Sequence, residues 1–342
     1  MTPRSVIVLG GVVLSAGFLA PACSSPKPAT PPPAPSVDVG APIAVEHDGV
    51  VCRFQPSIDR FTHFGPSNGP NLLHTVGLDR TPSPTGDYTF FGGAYTWIAP
   101  QNGAKGWVDR AGALRGWPPD LSMDIGPARL VSRTESSFNL IGPRTLRGLR
   151  EEKSFRTTGP GQAEVTYTLH NTTGAPVTAG PWINTAVAPG DGSVLAFRVA
   201  LAGGRPAYER WGGMGDNAVK QFDAALGLVS AHGWAALPLA SARWADGIKV
   251  YLDAGDAPAE VAVWRDGWWL HRRLLSGDAA THKRLLGFGE GPVATYINPG
   301  LGIIEAELVA PIVEIPANGS TTAVERWMLI HSPTPDPGVL PR

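Results

Sequence analysis

Short runs in which apolar and polar residues alternate recur along most of this chain. In AEVTYTLHN (163–171), Val165, Tyr167 and Leu169 would lie on one side of an extended strand and the polar residues on the other. This run stops at a turn, NTTGAP, and STTAVERWMLIH (320–331) alternates in the same way. A period of two is typical of strands with one buried face, so the sequence predicts a β-rich protein.

Turn residues separate these runs. GIKVYLDAGDAPAEVAVWRDGWWLHRRL contains three predicted strands, of which the last two are joined by Asp266-Gly267, a strong hairpin signal. Helical spacing is found in GDNAVKQFDAALGL (215–228), which predicts one short helix. Because no linker divides the chain, we expect one large antiparallel β-sandwich over 42–333, followed by a disordered tail over 334–342.

The first 41 residues differ from the rest in composition. An apolar run from Val6 to Phe18, preceded by a basic residue and followed by small ones, predicts a signal peptide over 1–22. Ala-Pro-Ala-Cys, which ends at Cys23, resembles the lipobox of bacterial lipoproteins; plain cleavage is the alternative, because the usual leucine is displaced by one position. The resemblance implies a lipid anchor on Cys23 and a place in the bacterial cell envelope, on the outer membrane. The Pro-rich residues 23–41 then predict a tether.

Composition and cysteine content narrow the possible partners and cofactors. With a formal net charge of −1, the chain has no basic surplus to neutralise phosphates, which argues against nucleic acid. Its two cysteines are Cys23 and Cys52; if the first carries lipid, we expect the second to be reduced, unpaired and half-buried. A bridge between them is the alternative for a simply secreted chain. No zinc, nucleotide-binding or GxSxG pattern is found, so no cofactor is predicted, although a calcium site built from separate loops stays open.

Two glutamates stand two positions apart in the apolar run IIEAELV. On a strand, Glu305 and Glu307 would share one face, and Ile304, Ala306 and Leu308 the other. Two such carboxylates would repel each other if both were buried and ionised, which raises the pKa of one and suits acid–base chemistry near neutral pH. The alternative is a pair that neighbouring arginines neutralise, or one that is exposed.

Several stretches, taken in their order, resemble a bacterial family of unknown function within the galactose mutarotase-like superfamily. They are DRFTHFG, SNGPNLL (67–73), FFGGAYTWIAPQ (90–101), GWPPD (116–120), GPWINTAV (180–187) and GIIEAELVAPI (302–312). The resemblance covers roughly residues 45–331. It implies a large twisted antiparallel β-sandwich with few short helices, the supersandwich of aldose epimerases, whose concave face binds sugars.

The same resemblance implies a catalytic pair. In sugar mutarotases a glutamate on a late strand is the general base and a histidine is the general acid. The glutamate matches Glu305, and Glu307 stands where mutarotases often carry an amide. The histidine would fall near residues 180–187, which contain none, and this argues against simple mutarotation. His74, after SNGPNLL, and His170, on the polar side of its strand, are candidate acids; the alternative is that each is a hydrogen-bonded structural residue.

Tryptophans are candidates for sugar contact, because aromatic faces pack on the apolar side of a pyranose ring. Trp97, Trp117 and Trp182 stand beside Pro or Gly in stretches that look like strand ends and loops, and Asn71 and Arg60 are candidate polar contacts. The alternative is that each tryptophan is a core residue.

Three hypotheses follow from the sequence. The leading one is a cell-envelope lipoprotein that binds carbohydrate on the concave face of the sandwich. The second is an epimerase, mutarotase-type or other sugar-modifying enzyme with Glu305 as general base. The third is a non-catalytic component of envelope assembly.

Overall fold

The computed structural model describes residues 40–80, 88–190, 192–202, 205–206, 208–210, 216–226, 228–229, 233–239, 247–277 and 290–341. These residues form mostly β-strands, in two antiparallel sheets of ten strands each. The predicted all-β sandwich with few short helices is therefore confirmed. No helix among the described residues is long and apolar enough to cross a membrane.

The elements are numbered in chain order. Sheet A has the spatial order β1 (Ile43–His47), β2 (Val50–Gln55), β3 (Arg60–Pro66), β4 (Ala94–Ala99), β9 (Val177–Ala186), β20 (Ile303–Val309), β19 (Val293–Asn298), β16 (Ile248–Leu252) and β13 (Tyr208–Arg210), with β21 (Val313–Ile315) also paired to β9. Sheet B has the order β14 (Leu228–Val229), β15 (Trp234–Pro238), β10 (Ser193–Arg198), β17 (Glu260–Arg265), β18 (Trp268–Leu274), β22 (Ser320–His331), β8 (Gln162–Asn171), β7 (Leu149–Gly159), β6 (Ser137–Arg144) and β5 (Arg129–Arg133). The remaining elements are a two-stranded ribbon and two helices: β11 (Leu201–Ala202), β12 (Arg205–Pro206), α1 (Leu121–Asp124) and α2 (Asp216–Ala225).

Local sequence patterns account for many of these elements. In β8 the burial alternates along the strand, and Val165, Tyr167 and Leu169 are wholly buried, as the period of two predicts. Asp266 and Gly267 join β17 to β18 with φ angles of 49° and 83°, the left-handed values that a tight hairpin turn requires. The predicted helix is present as α2.

The core lies between the two sheets and is rich in aromatic rings. Trp327 of sheet B packs edge-on against Phe61 and Phe64 of sheet A, with ring centroids 5.2 and 4.7 Å apart. Each of these side chains is at most 1% exposed, and burying one stabilises the fold by roughly 2–3 kcal/mol. Cys52 lies in this core, unpaired as predicted but fully buried rather than half-buried, because its side chain points inward from β2.

The chain crosses between the sheets several times. β16 belongs to sheet A and β17 to sheet B, so DAGDAP between them is a crossover, not a hairpin. Within sheet A, strands that are distant in the sequence also pair: β9 pairs with β20, more than a hundred residues later in the chain. Each face of sheet A is therefore assembled from segments that are far apart in the sequence.

The C-terminal residues are packed against sheet B, although a disordered tail was expected there. Leu340 is 2% exposed and lies in an apolar cluster with Trp234 and Trp269. The indole N–H of Trp234 and the guanidinium of Arg198 donate hydrogen bonds to the carbonyl of Pro341, at 3.0 and 3.2 Å. The prediction is wrong for these residues, because one buried leucine and two hydrogen bonds offset the entropy of ordering a short segment.

Candidate functional site

The face of sheet A that points away from the core carries a cluster of buried polar and aromatic side chains, called here the outer face. On β20, Ile304, Ala306 and Leu308 enter the core. Glu305 and Glu307 therefore point to the outer face, as the alternation predicts. They are 4% and 0% exposed, so neither is a rim residue in contact with bulk water.

Glu305 is a buried carboxyl whose pKa lies near neutral pH. The hydroxyl of Tyr95, on β4, donates a hydrogen bond to its Oε1. Burial raises the pKa of Glu305 to about 7, and the negative charge of Glu307 adds to the effect, while Tyr95 and the cations Lys249 and Arg60 oppose it. A carboxyl with this pKa exchanges protons readily near neutral pH.

Glu307 is held in one orientation by two donors. The indole N–H of Trp182 donates to its Oε2 at 2.7 Å, and the ammonium of Lys249 forms an ion pair with the same oxygen. Lys249 points to this face because its neighbours Ile248 and Val250 enter the core. The other oxygen, Oε1, is buried and has no hydrogen-bond partner within the described part of the chain.

A second buried ion pair lies beside Tyr95. The Nη2 of Arg60 lies 2.8 Å from Oδ1 of Asp124, and the same oxygen accepts the indole N–H of Trp97 at 2.7 Å. The guanidinium of Arg60 also stacks on Tyr95, 3.8 Å from the ring centroid. Arg60 is wholly buried, so it lies below the surface and fixes the ring that bonds to Glu305.

Glu290 is a third buried carboxyl on the outer face. Its Oε1 accepts the backbone N–H of Gln101 at 3.1 Å. Burial is the main cause that raises the pKa of Glu290, and the charge of Glu307 raises it further. Its Oε2 has no hydrogen-bond partner among the residues that the structure describes.

The three candidate tryptophans lie close together but differ in exposure. Trp97 and Trp182 are 4% and 1% exposed and stand within β4 and β9, not at strand ends or in loops as expected. Their rings meet edge to face, with centroids 5.5 Å apart. Trp117 lies on a loop and is 53% exposed; its ring packs against Tyr88 at 4.7 Å.

The other predicted site residues lie elsewhere or make structural contacts. Asn71 closes a turn: its Oδ1 accepts from the N–H groups of Phe64 and Leu73. The side chain of His74 is half-buried; burial and the charge of Arg265 lower its pKa, and it has no hydrogen bond to Glu305 in the structure. Cys23 falls outside the described residues. Within the described ranges no group of three or more His, Cys, Asp or Glu side chains could hold a metal ion.

Sequence reasoning missed Tyr95, Lys249, Glu290 and Asp124. Two of them carried a signal: Lys249 interrupts an apolar strand, and Tyr95 stands two positions before Trp97, so the alternation puts both aromatic residues on one face. Glu290 and Asp124 lie outside strands, and nothing in their local sequence marks them.

Comparison with solved structures identifies the fold. A galactose mutarotase-like protein from Lactobacillus casei matches with a TM-score of 0.53 and 9% sequence identity, over 85% of this chain and all of that one. An aldose epimerase homologue from C. elegans matches with a TM-score of 0.51 and 9% identity, over 85% of this chain and 99% of that one. No protein-family model matches the sequence, and no curated protein does. At these identities the likeness shows the fold alone, and that fold is the galactose mutarotase-like β-sandwich.

Proposed function

We propose that the outer face of sheet A binds a carbohydrate and that Glu305 is the general base of a mutarotase-type proton transfer. One observation carries the proposal: a buried carboxyl with a pKa of about 7 accepts a hydrogen bond from Tyr95 on a face lined by aromatic rings. The fold supports it, because the solved structures with this fold are described as mutarotase-like or as aldose epimerase homologues.

The chemistry needs one group to take a proton and another to give one. Glu305 would take the proton of the anomeric hydroxyl, and the ring oxygen of the sugar would receive a proton as its bond to the anomeric carbon breaks. The ammonium of Lys249 is near enough to lower the pKa of Glu305. We therefore take Lys249 as the candidate donor of the second proton.

A second candidate function is carbohydrate binding without turnover. It is favoured because the two cations of this face are already committed: Lys249 pairs with Glu307, and Arg60 pairs with Asp124. A general acid held in an ion pair is a weaker proton donor. The same face would then bind a sugar without opening its ring.

The two functions are separated by Glu305→Gln, with Glu314→Gln on the exposed side of β21 as the matched control. Binding of D-galactose and D-glucose would be measured by thermal shift, and mutarotation by polarimetry on the freshly dissolved α-anomers. Catalysis is supported if the wild type converts the sugar and Glu305→Gln loses this turnover but still binds the sugar. Binding without turnover by the wild type supports the second function. If no sugar shifts the melting temperature, both fail and the assembly role gains weight.

We also propose that the protein is a cell-envelope lipoprotein. The support is in the sequence: a signal-like apolar run, a lipobox-like stretch that ends at Cys23 and a Pro-rich tether up to residue 41. A lipid on Cys23 would attach the protein to a membrane, and the Pro-rich segment would act as a spacer.

A further inference from the structure

Hydrogen-bonding capacity on the outer face is unbalanced. Four buried oxygens find no hydrogen-bond partner among the described residues, namely Oε1 of Glu307, Oε2 of Glu290, Oδ1 of Asn184 and Oδ2 of Asp124, against one such donor, Nε of Arg60. Each of these residues is at most 2% exposed, so bulk water does not satisfy these atoms. Asn184 stands directly opposite Glu307 in the pairing of β9 with β20. The face therefore offers acceptors, and a ligand that fits it must bring donors.

The outer face also has more buried carboxyl groups than cations. Among the described residues, its carboxyl groups are Glu305, Glu307, Glu290 and Asp124, and its cations are Lys249 and Arg60. Lys249 pairs with Glu307 and Arg60 with Asp124. Glu305 and Glu290 are bonded instead to neutral donors, a tyrosine hydroxyl and a backbone N–H. Two more carboxyl groups than cations therefore share a buried surface.

Three carboxyl groups of the outer face, those of Glu305, Glu307 and Glu290, influence one another. The charge of Glu307 acts on both Glu305 and Glu290, so the three carboxyl groups lie within electrostatic reach of one another. Tyr251 lies near two of them, since the charges of Glu290 and Glu307 add to burial in raising the pKa of its hydroxyl. A single positive group placed here would meet at least two carboxylates at once.

We propose that the preferred ligand is an amino sugar, whose protonated amine is held by Glu290 and Glu307 while its hydroxyl groups donate to Asn184. This inference rests on the proposed function and names its substrate class. An ammonium carries three donors and one positive charge, which the unpartnered acceptors and the unbalanced carboxyl groups match together. A neutral sugar satisfies only the hydrogen bonds. An acidic sugar brings a carboxylate against carboxylates and is rejected.

Binding of an amine has a thermodynamic signature that binding of a neutral sugar lacks. A bound ammonium favours the ionised forms of Glu305 and Glu290, whose pKa values burial has raised. At pH 6.5 much of Glu305 carries a proton, so the amino sugar should displace it. The heat of binding then depends on the ionisation enthalpy of the buffer.

Titration calorimetry on the wild-type protein at pH 6.5 tests the inference, with D-galactosamine, D-galactose and D-galacturonate in two buffers of different ionisation enthalpy. We expect the amino sugar to bind at least tenfold more tightly than the neutral one, with proton release, and the acidic sugar to bind most weakly. Added salt should reduce the difference between the amino and the neutral sugar. Glu290→Gln should remove most of that difference, whereas Glu314→Gln should leave it unchanged.

The possible results separate this inference from the proposed function. If D-galactose binds and the amine adds nothing, or D-galacturonate binds best, the amino-sugar inference is overturned while carbohydrate binding stands. The inference is also overturned if the amine binds more tightly but Glu290→Gln keeps the whole difference. If none of the three sugars binds, the inference and the proposed function fail together.

Discussion

Glu305→Gln should make the protein more stable at high pH than the wild type, by an amount that grows with pH. In the folded wild type Glu305 keeps its proton up to a pKa of about 7, against an ordinary value of 4.5. The unfolded chain loses that proton near pH 4.5. Folding therefore takes up a proton between these two values, and the wild type loses stability as the pH rises through this window. Glutamine does not titrate, so the variant escapes the loss.

The size of the effect follows from the two pKa values. A difference between 4.5 and about 7 corresponds to about 3 kcal/mol of folding free energy, at about 1.4 kcal/mol for each pH unit. Glutamine keeps an oxygen that accepts the hydrogen bond from Tyr95, so the exchange leaves that contact in place. Buried carboxyl groups that do not interact with Glu305 titrate alike in both proteins, so their contributions cancel in the difference. Glu307 interacts with Glu305, and its response is part of the measured difference.

Urea unfolding at pH 4.5, 6 and 8 measures this difference. We expect the free energy of unfolding of Glu305→Gln, minus that of the wild type, to rise by about 3 kcal/mol between pH 4.5 and 8. Glu314→Gln, exposed on β21, should show no such rise. A difference that is flat across these pH values, or that falls, refutes the argument that burial and Glu307 hold the proton on Glu305.

Three further predictions test other parts of the structure. Leu340→Ala should lower the free energy of unfolding by about 2–4 kcal/mol, because it empties a buried site on sheet B; no change in urea unfolding would mean that the C-terminal residues are not packed. Lys153→Met should lower the free energy of unfolding by about 3–5 kcal/mol at pH 7, since it leaves Asp59 and Glu151 buried without their cation. Protonation at pH 4 neutralises both carboxyl groups, so the loss should be smaller there. An equal loss at pH 4 and pH 7 would argue against this reason. Cys23→Ser should abolish labelling by radioactive palmitate in a bacterial host, and labelling that persists would rule out the anchor.

Strand-level features could be predicted from the sequence because they depend on neighbours in the chain. The period of two placed Val165, Tyr167 and Leu169 on the buried face, and Asp-Gly marked the turn between β17 and β18. The pairing of β9 with β20 could not be predicted in this way. It joins segments more than a hundred residues apart, and no local pattern encodes which strand a given strand will meet.

The candidate site, too, could be predicted from the sequence only in part. That Glu305 and Glu307 share a face follows from two positions in one strand, and the structure agrees. What surrounds them could not be predicted, because Tyr95, Lys249 and Glu290 arrive from three other segments. The near-neutral pKa of Glu305 depends on burial that those segments create, and so the acid–base character of the site is a property of the fold more than of the strand.

The buried tryptophans have a different part in the site from the one that their ring size suggests. Trp97 and Trp182 each direct an indole N–H at a carboxylate, Asp124 and Glu307 respectively. A ring held edge-on in a packed cluster leaves little face for a sugar, whereas the ring of Trp117 is half exposed. Because Trp182 and the ammonium of Lys249 both bind Oε2 of Glu307, its Oε1 stays available. The buried indoles thus fix two carboxylates of the outer face, and Trp117 is the one of the three tryptophans whose ring is exposed for the proposed sugar contact.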